Sequence, residues 1–165
     1  MYRQFFALLF WTMVIIAVAT GTAKANQPCS AAQDSYTTAK SAQMAADNER
    51  AASLFKTTIE QFEGCRAQEN MRSAAGLSDT SLEVDAMIAA ASIALTNQEM
   101  DHAHALLIGA TGLLMELCKA DSLPPDVSAQ VAGSVVGLRR FGAMAGIPEF
   151  GACPAVNVPG PSPTQ

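Results

Sequence analysis

The sequence predicts an all-α protein: about five helices, arranged as two antiparallel hairpins and a final helix, behind a signal peptide. Three observations carry this reading. Roughly one residue in five after position 25 is alanine, the best helix former and the smallest side chain with a Cβ. Apolar residues recur at spacings of three and four, the period of a helix face. Helix-starting and helix-breaking residues divide the chain into segments of helical length.

Residues 1–25 say where the chain works. Arg3 and the free amino terminus supply positive charge, Phe5 to Ala19 is an almost unbroken apolar run, and Ala23-Lys24-Ala25 is a small-x-small cleavage pattern. Cleavage there would leave Asn26 as the first residue of a 140-residue chain, enough for one domain with a real core. The alternative is an uncleaved N-terminal anchor, since a run of roughly twenty apolar residues is long enough to span a bilayer. Both place the remainder in the periplasm or outside the cell, and cleavage leaves no stable membrane insertion. Cys29 follows Asn26-Gln27-Pro28 and lacks the small-residue box that lipid attachment needs.

The signal carries Arg3 and Lys24 and no acid, so its removal takes the net charge from −5 to −7. An acidic surface argues against nucleic acid and anionic lipid as partners. The remaining aromatics, Tyr36, Phe55, Phe62, Phe141 and Phe150, are too scattered for a stacking platform.

The first helix is expected over Ser30 to Ala45. Asp47 can cap a second, Asn48 to Gln68, whose apolar stripe is Ala51, Leu54, Phe55, Ile59 and Phe62. Glu69 to Asp79 reads as a connector. Thr80-Ser81-Leu82-Glu83 has the spacing of a capping box, which opens a third helix running to Leu95. Asn97 is expected to open a fourth, to Lys119. Pro124-Pro125 breaks the pattern, and Pro125 can begin a fifth helix to Ala145, because proline fits a first turn. The helical domain thus covers 26–146. Residues 147–165 hold five prolines and read as a tail, and Asn157 to Gln165 has nothing periodic to bury.

The two hairpins resemble each other. Ala51, Phe55 and Thr58 follow Ala39 and Ala42; Ala103, Leu107 and Ala110 follow Ala91 and Ala94 with the same spacing. This small–large–small pattern, with Asp47-Asn48-Glu49-Arg50-Ala51, resembles the tetratricopeptide helical hairpin. The resemblance covers about 32–62 and 84–114. It departs from the family in its period of 52 residues against 34, and in placing Ser35, Thr38 and Ala42 at the family's large positions. It implies a superhelix of hairpins that binds peptide segments; a plain helical bundle is the alternative.

An exported chain with four cysteines is expected to pair them. A hairpin bent at Asp47 brings Cys29 and Cys65 together at its open end. Cys118 would then join Cys153, which requires the tail to return beside the fifth helix. The alternative joins Cys65 to Cys118.

Other motifs give no catalytic, cofactor or metal set. His102 and His104 are two apart and cannot share a helix face; Glu99 adds one ligand to His102 at most. Ser53-x-x-Lys56 with Ser78-Asp79-Thr80 echoes a penicillin-binding signature without its third motif. Met44, Met87, Met100, Met115 and Met144 are expected to fill core gaps, and Glu60, Glu63 and Glu69 to form a solvated face. Gly133-x-x-x-Gly137 and Gly142-x-x-x-Gly146 allow close helix packing. The expectation is a non-enzymatic exported protein that binds another envelope protein or peptide. A small-ligand or metal carrier with a cavity in its bundle is the alternative.

Overall fold

The computed structural model describes residues 29–67 and 72–156. The signal segment, Glu69 and the tail beyond Val156 lie outside the described residues. Those described form five α-helices: α1 (Ser30–Met44), α2 (Asn48–Arg66), α3 (Ala74–Thr96), α4 (Met100–Cys118) and α5 (Pro125–Met144), followed by a 3₁₀ turn, Pro154–Val156. No strand occurs among them. Helix α3 packs on all four of the others. Helix α2 lies on α1 and α3, and α4 lies on α3 and α5. The backbones of α2 and α4 do not approach each other: no Cα of one lies within 8 Å of a Cα of the other. The arrangement is therefore two layers, α1–α3–α5 beneath α2 and α4.

The chain turns the same way at the end of each lower-layer helix. After α1, the Ala46 amide bonds to Gln43 O and the Asp47 amide to Ala42 O, at 3.0 Å each. After α3, Gln98 bonds to Leu95 O at 3.1 Å and Glu99 to Ala94 O at 2.8 Å. After α5, Gly146 bonds to Ala143 O at 3.5 Å and Ile147 to Gly142 O at 2.9 Å. This is the Schellman closure, which needs a left-handed residue next to the last helical turn. Ala46, Gln98 and Gly146 supply it, with φ of 58°, 65° and 71°. Beyond the first two turns a helix begins at once. Beyond the third, Pro148 follows and no helix forms. Helix α5 is thus a third lower-layer helix whose upper-layer mate is replaced by a folded strap, 147–156.

The 52-residue repeat is therefore structural. Helices α2 and α4 are both 19 residues long, and both their ends are offset by 52. The small and large positions named above are all buried: Ala39, Ala42, Ala51, Phe55 and Thr58 in one hairpin, Ala91, Ala94, Ala103, Leu107 and Ala110 in the other.

Two helix starts differ from the sequence expectation. Helix α3 begins at Ala74, where the Ser73 hydroxyl accepts from the Gly76 amide at 3.0 Å. Thr80, Ser81 and Glu83 lie buried inside that helix, and the Thr80 hydroxyl donates to Gly76 O at 2.7 Å. Their capping-box spacing is incidental, because Ser73 has already satisfied the first turn. Asn97 ends α3, and α4 starts after Glu99, the counterpart of Asp47.

Two disulfides form, Cys29–Cys65 as the hairpin geometry predicts and Cys118–Cys153 as the remaining pair. Cys29–Cys65 has a Cα–Cα distance of 5.4 Å, and Cys118–Cys153 one of 5.0 Å, which excludes the Cys65–Cys118 alternative. The first closes the open end of the α1–α2 hairpin over Ala32 and Phe62. The second holds the strap on α4. The strap is part of the body: Phe150 and Cys153 are buried, and Arg139 donates to Phe150 O at 3.2 Å and Gly151 O at 3.0 Å. The expected tail therefore divides near Val156.

Candidate functional site

Because α2 and α4 stand apart, the upper face of α3 between them is open. The resulting cleft has a volume of about 270 Å³. Its floor is Ala90, Ile93 and Ala94 of α3, where small side chains keep it deep. One wall is α2, with Ala52, Lys56, Ile59, Glu60 and Glu63; the other is the start of α4, with Glu99, His102 and Leu106. The repeat explains this division. Each upper helix turns one seam into the core and leaves its flank to the cleft.

The cleft is apolar below and charged at its rim. Lys56, Glu60, Glu63, Glu99 and His102 are all exposed. Three carboxylates face one lysine, so the rim is acidic. His102 thus stands in the cleft wall, whereas His104 turns away and its Nδ1 lies 3.2 Å from Ala145 O at the end of α5. Of the penicillin-binding echo, Lys56 lines this cleft, and Asp79 is buried, accepting from the Gln33 side chain at 2.6 Å. No group of three or more metal-ligating residues occurs among the described residues.

Polar side chains outside the cleft tie the helices together. The Tyr36 hydroxyl donates to Asp85 at 2.6 Å, and Lys40 reaches the same carboxylate at 3.2 Å, which ties α1 to α3. Burial, and then this bond to a carboxylate, push the Tyr36 phenol well above its ordinary range, so it stays a donor. Glu83 is fully buried and lies 3.2 Å from Arg66 Nε. Burial pushes its carboxyl up to about 7; the Arg66 guanidinium opposes this and Glu63 adds to it.

The methionines depart from the expectation of core filling. Met87 is buried, but Met44, Met100, Met115 and Met144 are 79%, 47%, 49% and 60% exposed. Helical spacing alone does not say which of two apolar faces a helix buries. Of the paired glycines, only Gly137 sits in a tight contact, where a Cβ would lie 3.1 Å from Ile88 Cγ2; nothing lies within 4 Å of one built at Gly133.

Comparison of the chain with protein-family models, curated proteins and solved structures finds no match to any of them.

Proposed function

We propose that this is an exported, non-enzymatic protein of the periplasm or extracellular space, which uses the α2–α4 cleft to bind a peptide segment of another envelope protein. The observation that carries this reading is the cleft: an apolar floor of two alanines and Ile93 on α3, under an acidic rim. Apolar floors with a few polar groups at the edge are the usual makeup of a recognition site. The two disulfides support an oxidising compartment. The repeated hairpins support the tetratricopeptide-like reading, in which spaced helices present a groove to peptides.

The rim gives the ligand its chemistry. A peptide with an apolar anchor for Ile93 and Leu106, and a lysine or arginine beside it for Glu60, Glu63 and Glu99, matches both parts. Selection from a displayed peptide library on the exported protein tests this. It should enrich an apolar residue next to a basic one, and Glu60→Lys with Glu63→Lys should abolish the enrichment. Enrichment that survives the double charge reversal would place binding elsewhere.

A further inference from the structure

Helix α4 carries two apolar seams. The first, Ala103, Leu107, Ala110, Leu114 and Leu117, is buried in the core. The second is Ala105, Ile108, Gly112 and Met115, flanked by Asp101 and Lys119, and it is exposed. Ile108 and Met115 are 53% and 49% exposed, although both are large and apolar. Along this second seam the steps alternate four and three, the heptad spacing of a helix that packs lengthwise against another.

The internal repeat supplies a comparison. Fifty-two residues earlier, the same six positions of α2 and its C-cap hold Glu49, Ser53, Lys56, Glu60, Glu63 and Ala67. The fold therefore does not require an apolar seam here: α2 has the same length and turn geometry, and its equivalent flank, which walls the cleft, is charged. The seam on α4 calls for a separate cause.

Its order indicates one. The positions are symmetric about the level of Ala110. Asp101 and Lys119 are equidistant from it, as are Ala105 and Met115, and Ile108 and Gly112. We propose that α4 pairs antiparallel with α4 of a second copy of this chain, about a two-fold axis at that level. Each layer then sets a large side chain against a small one, Ile108 on the partner's Gly112 and Met115 on the partner's Ala105. At both ends Asp101 meets the partner's Lys119, with opposite charge. Such self-complementarity is what a two-fold interface demands of one surface. Lys119 already pairs with Glu116 at 2.7 Å but keeps a side chain 68% exposed, so it can serve both carboxylates. The contact extends beyond a single helix. Met115 and Lys119 also line a hollow of about 610 Å³ against Phe150 and Pro154, and the antiparallel arrangement lays the partner's first α4 turn over it.

The test uses the exported protein with its disulfides intact. Light scattering after size exclusion should give twice the chain mass. A zero-length carbodiimide should join Lys119 to Asp101. Within one chain these are 18 residues apart on one helix, roughly 27 Å at 1.5 Å per residue, so the bond can form only between copies. Gly112→Leu should weaken association by at least roughly ten-fold. It has open space in the single chain, and a helical circular dichroism spectrum will show that it folds. Asp101→Lys should weaken association as well, and adding Lys119→Asp should restore it. A monomer at high micromolar concentration overturns the proposal, as does a dimer that lacks the crosslink or ignores these substitutions.

Discussion

Ala46 and Gln98, fifty-two residues apart, occupy the same left-handed position in two successive helix-to-helix turns, with φ of 58° and 65°. The third turn of this kind has Gly146 there, at 71°. Only glycine takes this conformation without a steric cost from Cβ. Ala46→Gly and Gln98→Gly should therefore each stabilise the fold by about 0.5–1 kcal/mol, and Gly146→Ala should destabilise it by a similar amount. Chemical denaturation with intact disulfides measures all three. Destabilisation by both glycine substitutions would mean that the side chains at 46 and 98 contribute more than the strain costs.

Glu83 gives the protein a pH-dependent stability. Its folded pKa of about 7 lies above its unfolded value, so the folded state holds a proton that the unfolded state has released. The contribution is fully present below the unfolded pKa and is lost as pH rises through the folded pKa. The melting temperature should fall between about pH 4 and pH 8, by the equivalent of about 3 kcal/mol. Glu83→Gln keeps the shape and removes the titration. Its melting temperature should be nearly flat across that window and should exceed that of the parent at pH 8. Parallel curves would assign the pH dependence to other groups.

The glycines of α5 separate packing from propensity. Gly133 is exposed and has open space around it, so Gly133→Ala should stabilise α5 by up to about 1 kcal/mol. At Gly137 the same change places a methyl 3.1 Å from Ile88 Cγ2, and the propensity gain is offset by the displacement of a core residue. Thermal unfolding should rank Gly133→Ala above the parent and Gly137→Ala below Gly133→Ala. Equal stabilisation by both would show that Ile88 yields without cost.

Much of this architecture was legible in the sequence, and the failures share a cause. The hairpin at Asp47 could be read because the cap is local: the carboxylate accepts from the Arg50 amide at 3.2 Å. The Cys29–Cys65 bridge followed from placing that turn, and Cys118–Cys153 only as the pair that remained. The start of α3 could not be read from Thr80 and Glu83, because their spacing fits a cap and also an interior turn. Only the packing of α2 and α5 over them decides for the interior. The start of α4 was available in the repeat, since Glu99 stands where Asp47 does, but Asn97 has the stronger capping chemistry and drew the boundary two residues early. The cleft depends on α2 and α4 standing apart across α3, a relation between distant segments to which no local pattern points. Of the outer seam of α4, the sequence pattern marked only Met115, as a core methionine, until burial showed which face was already used.

The two disulfides should fail differently when removed. Each closes a loop of about the same size, with sequence separations of 36 and 35, and on chain entropy alone each contributes roughly 3–4 kcal/mol. Their surroundings differ. Cys29–Cys65 closes a hairpin that Tyr36, Lys40 and Asp85 also hold to α3, so replacing both cysteines with serine should lower the melting temperature while leaving one cooperative transition. Cys118–Cys153 holds a strap with no regular helix of more than one turn, secured otherwise by Phe150 and the two Arg139 hydrogen bonds. Replacing that pair should free the strap before the helices melt. Limited proteolysis should then cut between Ile147 and Cys153 under native conditions, where the parent resists, and Arg139→Ala should hasten the cut. A strap that stays protected after the bridge is gone would show that Phe150 and the Arg139 hydrogen bonds anchor it without the disulfide.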